Sequence, residues 1–287
     1  MKKMTRKRHG AWSDAAIRLR RNKAAMFGLI VLIVLIVCAI IPQYIAPYGY
    51  DDQNYSERFL PPSLTHLMGT DNFGRDIFSR IIYGCRTSVQ IGLISVGIAA
   101  VVGGILGAVA AFYGGATDNI IMRCFDVLLA IPSTLLAISI AASLGPGLFN
   151  LMVAVGISSV PTYARVVRAS VLTVKGQEFV EAAKAVGASD FRMIFSHMIP
   201  NAIAPVIVQA TLGVAGAILS AAGLSFLGLG IEPPTPEWGS MLSSGRQYIR
   251  DYWYVVTFPG LAIMLTVFAL NLFGDGLRDA LDPRLKR

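Results

Sequence analysis

Five long stretches of this chain contain no Asp, Glu, Lys or Arg: residues 24–50, 87–117, 127–164, 193–231 and 252–274. Crossing the hydrocarbon core of a bilayer takes about 20 apolar residues in a helix, so each stretch is long enough for at least one crossing. A mean hydropathy of +0.60, with 15% charged residues, sets the chain apart from ordinary soluble domains. The stretch 127–164 must hold two helices, because Gly145-Pro146-Gly147 is a turn signal in its middle. The stretch 193–231 has no such break, and its opening reads as the end of a polar segment, so it holds one. The sequence therefore predicts an all-α integral membrane protein with six transmembrane helices.

An even number of crossings puts both termini on one face, together with the loop between the second and third helices and the polar segment around residues 175–200. That face receives 19 of the 25 Lys and Arg residues, nine of them before Ala24, and the other face receives 6. Basic residues near helix ends are retained on the cytoplasmic side, so the N- and C-termini are expected in the cytoplasm. The net charge of +8 is then a consequence of topology and argues for no nucleic acid as partner. The start MKKMTRKRHG is not read as part of a cleavable signal. The apolar run that follows is too long and lacks a small-residue cleavage pattern, so it becomes the first spanning helix.

Several chemistries are disfavoured. Cys38, Cys85 and Cys124 are far apart in sequence and form no C-x-x-C pair, and the three histidines have no ligand spacing, so no metal is expected. An ion-coupled transporter would need ionisable groups at bilayer depth, and an intramembrane enzyme would need paired catalytic groups there. The predicted crossings carry neither. Arg123 and Asp126 sit at one helix edge and read as an i,i+3 ion pair. No phosphate-binding loop of the Gly-x-x-x-x-Gly-Lys-Ser/Thr type is present. With no catalytic or cofactor-binding residues of its own, the chain must take its energy from another protein.

The polar segment EFVEAAKAVGASDFRMIFSHMIP, residues 178–200, offers the means. Phe179, Ala182, Ala183 and Val186 recur at helical spacing on one face, and Phe191, Ile194, Phe195, Met198 and Ile199 form a second stripe. The spacing predicts two short helices joined at Gly187, which takes a left-handed C-cap, with Ser189 or Asp190 capping the second and Pro200 marking the turn into the next span. Such a hairpin either lies among the lipid headgroups or serves as a knob that docks on a cytoplasmic partner.

On the opposite face, Asp71, Arg75, Asp76 and Arg80 are spaced for i,i+4 pairs on a short helix, which would brace the loop or contact a partner protein. The stiff run EPPTPEW ends in Trp238, an aromatic suited to a membrane interface. Gly103 and Gly107 permit close helix contact. Gln209, Thr211, Ser220 and Asn271 either line a path or bond between helices.

Glu181, Ala182, Ala183, Gly187, Ala188, Ser189, His197 and Pro200 together resemble the EAA loop of permeases in binding-protein-dependent ABC importers. HLMGTDNFGRDIFSRIIYGCRTSVQIG (66–92), SFLGLGIEPPTPEWGSML (225–242) and DGLRDALDPRLKR (275–287) are similar to the dipeptide, oligopeptide and nickel subfamily. The extra N-terminal helix and long first external loop resemble its "C" member. The resemblance implies the type I ABC importer permease fold in the cell membrane. It also implies a second homologous permease subunit, two ATP-binding subunits that hold ATP and Mg, and an extracytoplasmic solute-binding protein. Within this chain it implies that residues 1–87 carry the N-terminal segment, first helix and external loop, that 88–287 form the permease core, and that the eight residues above couple to the ATPase. A peptide cargo is expected, because bare nickel would call for clustered imidazole or thiolate groups; nickel, free or chelated, stays as the alternative.

Overall fold

The computed structural model describes residues 11–281, and among them every regular element is helical. The basic residues 1–10 and the last part of the tail motif, residues 282–287, lie outside the described residues. The order is α1 (Ala11–Arg21), α2 (Lys23–Ile40), the single turn α3 (Pro42–Ile45), α4 (Ile77–Tyr113), α5 (Gly115–Ala130), α6 (Ser133–Leu144), α7 (Leu148–Lys175), α8 (Glu178–Ala185), α9 (Asp190–Arg192), α10 (Ile199–Phe226), α11 (Trp238–Gly245) and α12 (Tyr254–Leu281).

Lys23–Ile40, Ile77–Tyr113, Asp190–Phe226 and Tyr254–Leu281 are each long and apolar enough to cross a membrane. The pair Gly115–Ala130 and Ser133–Leu144 qualifies only as a unit bent by 89°. This corrects the expected single helix after residue 127. Proline disfavours the helical conformation in the residue before it; Ile131 accordingly turns extended (φ −91°, ψ 129°) and the helix ends at Ala130. The Gly145-Pro146-Gly147 break falls where predicted, with Gly145 at φ +81° and Gly147 at φ +142°.

The bundle is organised around α4 and α7, which share more contact than any other pair of helices. A methyl group on Gly103 would come within 2.5 Å of the Val160 carbonyl, and one on Gly107 within 2.3 Å of the Ala164 carbonyl. Both glycines thus let the two backbones touch, as their sequence spacing suggested. Around this seam α10 packs on both helices and on α12, and α2 leans on α12 and α4. The helices α4 and α12 start at the same end, where Tyr254 donates its hydroxyl to the Phe59 carbonyl and the Thr70–Asp76 bridge precedes α4. Their far ends therefore lie together with α1, whose Leu19 reaches Gly276 of α12.

Several expected contacts are rearranged. Asp126 pairs with Arg165 of α7 at 2.6 Å, not with Arg123, and Asp118 takes both nitrogens of an Arg168 fork. Of the charged run after His66, Asp71 and Arg75 do pair, at 2.7 Å, though within a turn outside any helix. Asp76 is not available to Arg80, because it caps α4 by accepting from the Ser79 N–H and hydroxyl and binds His66 Nδ1 at 2.9 Å. Arg80 instead donates to the Tyr50 carbonyl at 2.7 Å. Trp238 is fully buried within the protein. Its indole N–H donates to the Ile81 carbonyl and its ring fills the space beside Gly84, while buried Glu237 caps α11 through the Gly239 and Ser240 N–H groups. Cys38 and Cys85, remote in sequence, share one buried cluster.

Overpacking a tight seam costs typically about 1–3 kcal/mol. Gly107→Leu should therefore lower the detergent unfolding temperature and the yield of folded protein, whereas Gly97→Leu, which meets nothing within 4 Å, should leave both unchanged.

Candidate functional site: the polar island between α7 and α10

The chain leaves the bundle at Lys175, the last residue of α7. Its ammonium donates to the carbonyls of Ala111 (2.9 Å) and Phe112 (2.7 Å), which lie in the last turn of α4. A helix C-terminus has unpaired carbonyls and a partial negative charge, so one cation both satisfies α4 and fixes where α7 stops. Gln177 then opens α8. Glu178 and Glu181 stand in its first turn and Lys184 in its last, each on the side the helix dipole favours.

Gly187 ends α8 in the left-handed region, at φ +78°. The Ala188 N–H donates to the Ala183 carbonyl at 3.1 Å and the Gly187 N–H to the Lys184 carbonyl at 3.0 Å, the paired bonds of a Schellman stop. Ser189 occupies the next cap position, as expected, but its side chain makes no capping bond. Asp190 accepts from the Tyr113 hydroxyl at 3.0 Å instead, tying α9 to the end of α4.

Beyond α9 the structure departs from a separate second helix. Met193–Met198 form a π-helical turn that runs without interruption into α10, so Asp190–Phe226 is one 37-residue helix. Pro200 has no N–H, and its ring crowds the carbonyl four residues earlier. The wider turn, with the Ile199 N–H reaching back to the Ile194 carbonyl, accommodates it. Pro200 therefore marks no turn; it lies inside a continuous rod.

The buried face of the island also differs from the predicted stripes. Val180, Met193, Ile194 and Met198 pack with Ala108, Ala111, Val167, Val171 and Val174 of α4 and α7. Phe179, Ala182 and Val186 point outward, as do Phe191 and Phe195, whose rings meet at a 35° tilt with centroids 4.6 Å apart. Val186 is 85% exposed and Phe191 72%. The residues singled out by sequence are thus gathered within one segment: Glu181, Ala182, Gly187 and Ser189 at its surface, Ala183, Ala188 and His197 half-buried, and Pro200 exposed at the start of α10. Sequence reasoning passed over Lys175, Tyr113 and Val180. A lysine immediately before Gly176 at the end of a long helix was the available signal.

An apolar knob clamped by side chains to α4 and α7 and continuous with α10 can transmit a push. Comparison with known proteins identifies the family. Residues 100–287 match the family described as binding-protein-dependent transport system inner membrane component. The chain belongs to this family. Residues 10–62 of the permease match the N-terminal TM domain of oligopeptide transport permease C. The permease is 50% identical over 275 residues to the dipeptide transport system permease protein DppC of Alkalihalophilus pseudofirmus, covering 96% of this chain and 90% of that one. It is 48% identical to the di/tripeptide transport system permease protein DppC of Pseudomonas aeruginosa, covering 92% and 89%. An inward-facing structure of the MetNI methionine ABC transporter superposes with a TM-score of 0.57 at 16% identity, over 71% of this chain and 96% of that one, which shows the fold. The permease is accordingly a multi-pass inner-membrane protein of an ABC importer.

A β-branched residue in a left-handed conformation costs about 1–2 kcal/mol, and no neighbour crowds Gly187. Gly187→Val should therefore cut solute-stimulated ATP turnover of the assembled importer several-fold with membrane insertion intact. Gly187→Asn, which tolerates that conformation, should retain most of it.

Proposed function

We propose that this permease forms half of the translocation path for di- or oligopeptides in an ATP-driven importer, and that the island at residues 175–200 is its coupling element. The observation that carries the reading is the continuity of the island with α10 while Lys175, Val180 and Asp190 bind it to α4 and α7. A displacement at Val186 or Phe191 must then reach the membrane helices. Glu181, Ala182, Ala183, Gly187, Ala188, Ser189, His197 and Pro200 make up the docking segment.

In this reading the chain crosses the membrane six times, with α5 and α6 as one bent crossing and α7 as another, and both termini are cytoplasmic. Residues 1–87 attach the extra helix and external loop to a core formed by 88–287. The partners are a second homologous permease, two ATP-binding subunits and an extracytoplasmic solute-binding protein. ATP and Mg are held by the ATP-binding subunits, and this chain hydrolyses nothing. The peptide cargo is supported by the names of the relatives, which include dipeptide, di/tripeptide and glutathione permeases.

The purified polypeptide should show no ATP hydrolysis above background, and hydrolysis should appear on adding the ATP-binding subunits. Glu181→Lys reverses charge on the docking surface and should reduce uptake of a labelled dipeptide several-fold without loss of the chain from the membrane. Uptake of nickel in place of peptide by the reconstituted complex would replace the cargo assignment.

A further inference from the structure

A cavity of about 370 Å³ lies among α2, α4, α10 and α12, far from the island. Its walls include Leu32 and Ile36 of α2, Leu93 of α4, Ala210 of α10, and Leu270 and Phe273 of α12. Its two hydroxyls are already committed: Thr211 donates to the Ile207 carbonyl at 3.0 Å and Thr266 to the Ala262 carbonyl at 2.8 Å. Among the lining side chains water would find no free donor and only two hydroxyl oxygens as acceptors, and apolar cavities of about 150 Å³ already stay dry and take a benzene-sized guest. An empty space of this size forfeits the dispersion contacts of its whole lining.

Its origin lies in the paths of the helices. One half of α2 is pressed on α12, where a methyl group on Gly28 would meet the Ala269 carbonyl at 2.5 Å. The corresponding half of α4 is drawn away to α7 by Gly103 and Gly107. The two helices part, and a cleft opens sideways between them. Leu93 and Ile36 at its rim are 58% and 48% exposed, at a depth where the surroundings are lipid.

The end of the cleft carries an excess of basic residues over the exposed Asp275 and Asp279 of α12. Arg20, Arg21 and Lys23 are exposed at the corner between α1 and α2 and form no ion pair among the described residues. Lys23 is nine to thirteen residues from Leu32 and Ile36 along α2, or roughly 14–20 Å of helix rise. That matches the roughly 15 Å depth of one leaflet's hydrocarbon. A chain reaching from the cavity to this corner would deliver its headgroup to three cations, which attract anionic lipid.

We infer that the cleft between α2 and α4 is a binding site for one acyl chain of an anionic phospholipid in the leaflet at the end carrying the termini. The lipid fills the space left by the splayed helices and joins the extra N-terminal helix to the permease core. This inference needs only the membrane placement of the chain and stands apart from the peptide reading.

The test uses the whole importer in nanodiscs containing phosphatidylglycerol with a diazirine in mid-chain, followed by peptide mapping of the photo-adducts. Adducts at Leu32, Ile36 and Leu93 should exceed those on the outward face of α12, at Met264 and Phe268, several-fold. Ala210→Phe, which fills the cavity, and Leu93→Trp, which closes its rim, should each reduce them several-fold. Arg20→Gln/Arg21→Gln/Lys23→Gln should reduce labelling by phosphatidylglycerol and not by phosphatidylcholine carrying the same probe. Equal labelling of the two faces, unchanged by either cavity variant, would show ordinary boundary lipid and overturn the site. Capture of a helix of the second permease in the cleft would overturn the lipid as its occupant.

Discussion

The close approach of α4 and α7 governs the rest of the molecule. With no hydrophobic driving force between helices in lipid, association depends on packing and hydrogen bonds, and small residues at the contact decide which helices can meet. Gly103 and Gly107 set α4 directly against the backbone around Val160 and Ala164. Two consequences follow. At one end α7 terminates beside the last turn of α4, so that Lys175 reaches its open carbonyls. Away from the seam, α4 leaves α2, and the apolar cleft opens.

The island inherits its rigidity from that seam. It buries Val180, Ile194 and Met198 on the paired helices, adds the Tyr113–Asp190 bond, and passes into α10 through a π turn, not a hinge. The exposed side, with Val186 and Phe191, is then left for a partner. A large exposed apolar patch on a polar segment marks an interaction surface. It is held by side-chain contacts to the helix ends.

Much of this was legible in the sequence. Charge-free tracts located the four helices that are long and apolar enough to cross a membrane alone, the Gly145-Pro146-Gly147 break fell where expected, and Gly187 took its left-handed turn. What escaped has physical causes. Local spacing cannot reveal partners distant in the chain: Asp126 chose Arg165 over nearby Arg123, and Asp76 was taken by the α4 cap and His66. The burial of Trp238 was hidden because Gly84, which makes room for it, lies 154 residues earlier in the chain. Helical periodicity assumed a regular α-turn, so the π turn before Pro200 rotated the second stripe and put Met193 inside and Phe195 outside. Pro132 was overlooked as a breaker because the stretch around it carries no charge.

The central claim is that the exposed face of the island is where the ATP-binding subunits dock. Site-directed labelling tests it most directly, with Val186→Cys in a Cys124→Ser background, because Cys124 is the exposed native thiol. The account predicts that a maleimide modifies Val186→Cys rapidly in the permease pair alone and slowly once the ATP-binding subunits are added, while Leu64→Cys, 97% exposed at the opposite end, reacts equally in both. Equal reaction of Val186→Cys with and without those subunits, in a complex shown to hydrolyse ATP, would contradict it.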